Sequence, residues 1–355
     1  MKADACKPFP TLTARLVAAG LLAIALPLAA QEATLPRTAW GVPDFTGTWN
    51  FSDPTPLERP PRYGDREFLT DEELAAQAED FARRQQAADA REAEVARRVL
   101  DEPTADTGAF NRFWNDQEPP GLNPRTSQIV YPPDGRLPAL TDPANVQRSS
   151  PPDNPCFDGL ADPGRPVRIS YGALSCDRPE DFALATRCLH WPQTGGPHTV
   201  GNAYNNNILI VQTRDDVVIH AEMGNAPRIV PLDGRPFADP RLVSWTGSSR
   251  GWFEGETLVV ETRNVSHQVA SLFFRAVAYG DASQRVLTER FTPLNDGVLE
   301  YEYTIDDPAT FSDRLIVRTR MSRLNERMFE YACHEGNYAL TNMLRAARLT
   351  EQQGP

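Results

Sequence analysis

Glu330-Tyr331-Ala332-Cys333-His334-Glu335-Gly336-Asn337-Tyr338 is the densest run of chemically able side chains in this chain. His334 is the natural general acid or base there, because an unperturbed imidazole titrates near neutral pH. Glu335 could orient it, although adjacent residues on an extended backbone face opposite ways. Tyr331 and Tyr338 could polarise or protonate an oxygen. Tyr204-Asn205-Asn206-Asn207 offers another phenol and amide donors, Glu222 a further carboxylate, and Arg228 and Arg250 a cationic grip on a phenolate or carboxylate. His334, Glu335, Tyr204 and Tyr338 are thus the candidate catalytic groups. Arg228, Arg250, Asn205, Glu222 and Tyr331 are the candidate ligand-binding ones. Each also has a plain structural role open to it: Tyr331 in a core, Asn337 as a cap, Arg250 as a loop brace.

Other chemistries fit less well. Gly247-Ser248-Ser249-Arg250-Gly251 has the letters of a nucleophile elbow, but Trp252-Phe253-Glu254-Gly255 and a strand follow it rather than a helix. His334-Glu335 begins like a zinc-protease helix, yet Tyr338 stands where the second imidazole belongs. His190, His198, His220 and His267 show no ligand spacing, and no glycine-rich phosphate cradle follows a strand. The expectation is therefore acid–base chemistry with no cofactor and no metal.

The elements that would position such groups begin after a leader. Lys2, Lys7 and Arg15 precede the apolar run Leu16–Ala30, the pattern of a signal peptide over residues 1–30. No later segment holds eighteen consecutive apolar residues, so no membrane association is expected once the leader is removed. The leader carries three basic residues and one acid, so its loss takes the net charge from −12 to −14. An acidic surface repels phosphate backbones, which argues against nucleic acid as a partner. Cys156, Cys176, Cys188 and Cys333 remain; four cysteines in an exported chain read as two disulfides with three possible pairings. Cys156–Cys176 would close a Pro/Asp/Gly-rich loop, and Cys188–Cys333 would tie the C-terminal cluster to mid-chain; these are the favoured pairs. Residues 31–355 read as one domain, as a monomer or homodimer.

Asp44–Phe51 alternates through Phe45, Gly47, Trp49 and Phe51 as a first strand. Thr70 with Glu73 forms a capping box for a charged helix over about 69–100, with only Leu74, Phe81, Val95 and Val99 as an apolar stripe. That thin stripe predicts an insertion lying on the surface. From Arg125 onward β-rich runs follow, at 127–131, 208–213, 217–223, 228–232, 258–262, 286–291, 298–305 and 315–321. Glu254-Gly255-Glu256 and Asn295-Asp296-Gly297 read as hairpin connections, and residues 339–353 as a closing helix. Sequential strands at this spacing predict a mainly β antiparallel barrel or sandwich.

The Gly47-x-Trp49 motif resembles the first strand of calycin barrels, including lipocalins, where the Trp lies beneath a basic side chain from a late strand. Thr55–Pro60, Arg125–Ser127, Pro132–Arg136, Tyr204–Asn206, Arg228–Arg235, Ser249–Gly251, Glu254–Thr262, Glu289–Phe291 and Tyr331–Tyr338, in that order, resemble a large family of secreted bacterial proteins of mostly unassigned function. The resemblance implies a calycin/lipocalin-like barrel and a periplasmic or secreted location. Some relatives appear linked to cofactor-free breakdown of lignin-derived aromatic dimers. Many carry His-Asp-Ala-Arg where Asn225-Ala226-Pro227-Arg228 stands here, and Gly-Asp-Ser-Arg in place of Gly247-Ser248-Ser249-Arg250. The function expected is a secreted, cofactor-independent lyase or isomerase acting on a small hydrophobic aromatic molecule, such as opening the benzylic cyclic ether of a phenylcoumaran dimer. A non-catalytic lipocalin-like carrier is the alternative, and a serine hydrolase using Ser249 the third reading.

Overall fold

The alternation of apolar and polar residues sets the architecture. The computed structural model describes residues 35–101, 118–143, 145–148, 166–170, 172–201, 204–224 and 226–353; the expected leader and Cys156 lie outside them. The strands are β1 (Gly47–Asn50), β2 (Ile129–Tyr131), β3 (Val146–Arg148), β4 (Asn207–Gln212), β5 (Asp216–Ala221), β6 (Arg228–Pro231) and β7 (Ser248–Glu254), followed by β8 (Thr257–Arg263), β9 (Leu272–Phe274), β10 (Val277–Tyr279), β11 (Val286–Asn295), β12 (Val298–Asp306) and β13 (Leu315–Leu324). Two α-helices, α1 (Asp71–Asp101) and α2 (Ala339–Gln353), complete the described elements together with short 3-10 turns.

Nine strands form one antiparallel sheet in the order β6-β5-β4-β1-β13-β12-β11-β8-β7, with β2 added on β13. The sheet curls until its end strands, β6 and β7, lie side by side. Gly251 permits that approach: a Cβ there would sit 2.8 Å from Val230 and 2.9 Å from Leu232. The result is a nearly closed, lipocalin-like barrel. Its interior is the alternating set expected of half-buried strands, with Ile210, Val217, Val260, Leu287, Phe291, Leu299, Ile305, Val317 and Met321 all buried in one core. Each such side chain contributes about 1.5–3 kcal/mol on leaving water.

The first strand behaves as the Gly-x-Trp motif predicts. Trp49 is 1 % exposed, its indole N–H donates to the Phe45 carbonyl at 2.9 Å, and the Arg323 guanidinium from β13 lies 4.5 Å above its ring. Arg323 is held by the Thr46 and Asp296 carbonyls, each at 3.0 Å. Gly47, at φ +145°, keeps the space clear, since a Cβ there would stand 2.8 Å from Arg323 Nη1. Both expected hairpins join their strands, β7 to β8 and β11 to β12.

The Thr70–Glu73 capping box is formed, with Thr70 N–H donating to Glu73 at 2.9 Å and Glu73 N–H to Thr70 Oγ1 at 3.3 Å. No residue of α1 is buried, as its thin apolar stripe requires. Helix α2 lays Leu340, Met343, Leu344 and Ala347 on Ala173, Cys176 and Phe182. Two features escaped the pattern of the sequence. Strand β7 is masked there by its Gly/Ser-rich start, and β3-β10-β9 form a separate small sheet from three-residue strands.

Candidate functional site

The C-terminal cluster does not enter the barrel. On β1, β4 and β5 the interior phase belongs to Trp49, Ile208, Ile210, Ile219 and Ala221, so Thr48, Leu209 and His220 point outward. These three stand in register across the sheet. Residues Glu326–Glu335 run over them, and with Glu222 they bound an open groove of about 810 Å³. The Cys188–Cys333 disulfide fastens this segment to the 183–200 loop, and Asn337 Nδ2 donates to Cys188 Sγ at 3.2 Å. The favoured Cys188–Cys333 pairing is thus formed. Cys176 is also disulfide-bonded.

Glu222, Tyr331, His334 and Glu335 therefore share one groove, joined by His220, which sequence reasoning passed over. His334 and Glu335 are exposed to solvent, and Tyr338 is 71 % exposed. A ligand inside the barrel would not meet these groups, because the segment follows the last strand and packs outside the wall. Tyr331 meets Trp191 edge to face at 5.5 Å. Its hydroxyl is pushed up by burial and by the neighbouring Tyr204. Asn205 is half-buried in a left-handed turn (φ 55°) just before β4. Glu222 accepts from Asn207 Nδ2 at 2.8 Å.

The two arginines part company. Arg250 donates to the Arg235 and Pro236 carbonyls at 3.0 Å and braces a surface loop, the structural role that the sequence left open for it. Ser249 lies within β7, its hydroxyl 2.8 Å from Thr262 Oγ1, with neither imidazole nor carboxylate bonded to it among the described residues. Arg228 is inside the barrel. It donates to both oxygens of Glu289 and, at 3.2 Å, to Thr262 Oγ1. This guanidinium is already paired.

Glu289 anchors a buried polar belt. Arg228 on β6, Ser249 on β7, Thr262 on β8, Glu289 on β11 and Tyr301 on β12 come from five successive strands of the wall. All are at least nine-tenths buried. Tyr301 donates to Glu289 at 2.8 Å, and the Thr199 N–H donates back to the Tyr301 hydroxyl at 3.3 Å. Tyr301 lies 5.7 Å from Tyr303, whose ring packs at a tilt against His198, 5.0 Å between centroids.

A second buried cation lies within electrostatic reach of the belt. Arg285 is 2 % exposed and forms no ion pair within 4 Å among the described residues. Its Nη1 donates to the Ser271 carbonyl at 2.6 Å and lies 3.4 Å from His198 Nδ1. A guanidinium only donates, so Nδ1 accepts and the neutral ring carries its proton on Nε2. His198 also holds a left-handed backbone, φ 53°, a conformation costly for a side chain of this size.

Burial dominates the electrostatics of this region. It lowers His190 to about 4, with Arg285 adding to the effect. Burial, then Arg285 and Arg228, holds His198 well below the ordinary imidazole value. Both rings are neutral at physiological pH. Burial and the Glu289 charge raise Tyr301 well above the usual phenol value, and burial raises Tyr303. Arg285 is drawn down to about 10 by burial, against the favourable fields of Asp307 and Glu289, and stays charged. Several polar atoms here have no hydrogen-bond partner: His190 Nε2, His198 Nε2, Thr199 Oγ1, Ser271 Oγ, and Arg285 Nε and Nη2. Such groups cost about 1–3 kcal/mol each when left unmatched.

The sequence held a signal for the belt. Glu289 occupies the interior phase between Leu287 and Phe291, and Tyr301 and Tyr303 fall between Leu299 and Ile305. A charge in an inward phase is the mark of an enclosed polar site. For His190, His198 and Arg285 no local pattern existed. Among the described residues no group of three or more His, Cys, Asp or Glu side chains could hold a metal ion. No family model, curated protein or solved structure matches the chain.

Proposed function

We propose that the protein is an exported, cofactor-independent lyase or isomerase whose chemistry takes place inside the barrel, on a small aromatic molecule. One observation carries this reading: neutral imidazoles and neutral phenols lie beside a charged guanidinium in an interior closed to water, with polar atoms left free. His198 packed against Tyr303 is its centre. The sequence strings resemble a family of mostly unassigned function, some of whose members are linked to breakdown of lignin-derived dimers, and this suggests the substrate class; the Cys188–Cys333 disulfide is in keeping with an oxidising compartment.

In the opening of a benzylic cyclic ether, one C–H bond and one C–O bond break while a C=C and an O–H bond form, with no redox change. His190 takes the proton from carbon, its imidazole being neutral. The Tyr303 hydroxyl and His198 Nε2–H donate hydrogen bonds to the departing phenolate oxygen, which then receives the proton held by His190 and leaves that imidazole neutral again. A donor in a water-excluded site strengthens its bond as charge develops there. The Arg228–Glu289–Tyr301 network fixes the neighbouring ring and takes no proton.

The experiment is incubation of purified protein, with EDTA and without added cofactor, with phenylcoumaran dimers, followed by mass and ultraviolet absorbance. His198→Gln and Tyr303→Phe should lower turnover about 10²–10⁴-fold. His334→Ala, in the outer groove, should change it less than about 3-fold. Full activity in His198→Gln with loss in His334→Ala would move the chemistry to the groove. A second reading, a carrier, draws on the excess of unmatched interior donors, which suits retention of a ligand. It predicts binding without product from the whole panel.

A further inference from the structure

One end of the barrel is closed by Trp49 beneath Arg323. The other is filled by residues 189–200. Tyr303 pairs with Val317, far along β13 from Arg323, and the His198 ring packs against Tyr303 there. The Thr199 N–H donates to the Tyr301 hydroxyl at 3.3 Å, and Thr194 Oγ1 donates to Met223 Sδ at 3.2 Å. His190, Thr194, His198 and Val200 are all at least nine-tenths buried. The loop is a plug seated on inward-facing side chains and held at Cys188 by the disulfide to Cys333.

The seat matches the plug poorly. His190 Nε2, Trp191 Nε1, His198 Nε2 and Thr199 Oγ1 are buried with no hydrogen-bond partner, and each gains one in water. His198 keeps its left-handed backbone, φ 53°. Its Nδ1 lies 3.4 Å from Arg285 Nη1, a contact that works only while the ring is neutral. A proton on Nδ1 sets two donors and two positive charges against each other.

The surroundings offer that proton no counter-charge. Arg285, Arg228 and His190 act on His198, and Arg285 acts on His190, each disfavouring the imidazolium. Tyr301 and Tyr303 are neutral phenols. The carboxylates whose fields reach Arg285 are Glu289 and Asp307. Glu289 is engaged by Arg228 and Tyr301. Asp307 is engaged by Thr310 Oγ1 at 2.8 Å and the Ala309 N–H at 3.2 Å.

We propose that residues 189–200 form an acid-released plug of the barrel, with His198 and His190 as the groups whose protonation expels it. The rings hold a proton more tightly once they reach water, so falling pH favours the open loop. His190 stands at about 4 in the closed loop and at the ordinary 6.5 in water. That difference alone raises the open population about 20-fold between pH 7 and pH 5. His198 adds to it in the same direction. The strands keep their ladders, so the loop opens while the barrel stays folded. The device depends on neither the lyase nor the carrier reading; it sets when the interior can be reached.

Hydrogen exchange followed by mass spectrometry tests this on the purified protein at pH 7 and pH 5, with rates corrected for the intrinsic effect of pH. Protection of residues 189–200 should fall by about 20-fold or more, while that of 286–305 changes by less than about 3-fold. Glutamine at both positions keeps an acceptor for Arg285 and does not titrate. The double variant, His190→Gln with His198→Gln, should therefore hold its protection across the same range. Three results overturn the proposal. One is a wild-type fall in 189–200 of less than about 10-fold. Another is an equal loss in 286–305, which is global unfolding. The third is the same acid response in the double variant. Should the double variant not fold, each single variant is expected to lose part of the response, and a single variant pair with the full wild-type response overturns the assignment.

Discussion

Replacing Glu289 with Gln tests the polar belt most directly. The carboxylate is 1 % exposed and accepts from both terminal nitrogens of Arg228 and from Tyr301. Gln keeps the volume but turns one acceptor into an N–H₂ group, which then faces a donor. Arg228, 7 % exposed, is left charged with no counter-ion in a low-dielectric interior. Removing one partner of a buried pair costs about 3–5 kcal/mol, most of it the penalty on the stranded charge. Folding about 320 residues involves an entropy of roughly 0.7 kcal/mol/K, so the melting temperature should fall by about 4–8 °C. Replacing both partners with apolar groups, Arg228→Met with Glu289→Leu, removes the stranded charge and should recover most of the loss. Urea unfolding followed by tryptophan fluorescence measures both variants. An unchanged midpoint for Glu289→Gln would refute the buried pair, and a double variant as weak as the single would refute the account of the cost.

Three further outcomes are expected. Trp49→Ala should lose about 3–5 kcal/mol and soluble yield, since it empties the barrel end beneath Arg323; an unchanged melting curve would contradict that role. Cys333→Ser should lose about 2–5 kcal/mol for a closure separating residues by 145 positions and open residues 325–338 to limited proteolysis, while an unchanged digest would show the segment is held by other contacts. Stability should also depend on pH through His190. Its folded value of about 4 lies below the ordinary 6.5, so its contribution is full above 6.5 and is lost as pH falls toward 4. That amounts to about 2 kcal/mol between pH 7 and 5, and a His190→Gln variant with the same slope as wild type would contradict it.

The chain's local patterns were sufficient for most of its architecture. Alternation at Phe45, Trp49 and Phe51, and again along 286–305, specifies half-buried antiparallel strands, because period two is the only spacing that keeps one face dry. The Thr70–Glu73 box and the Ala-rich run after it specify α1, because capping and helix propensity act within a few residues. The Cys188–Cys333 pair was among the possibilities that cysteine arithmetic allowed. Its selection needed the two loops to meet in space. Residue chemistry drew attention to His334 and Tyr338, and tertiary structure put them outside the wall, because the strand pleat reserves the interior for Trp49, Ile210 and Ile219. Glu289 was visible as a charge in an inward phase. That it meets Arg228 depends on barrel closure, which sets β6 beside β7 and within reach of β11. His198 and Arg285 are 87 residues apart in the chain, and only the fold brings them together. Sequence determines what each short segment does with its own backbone and its nearer apolar face. The encounter of distant polar groups depends on how the sheet closes, a property of all nine strands at once.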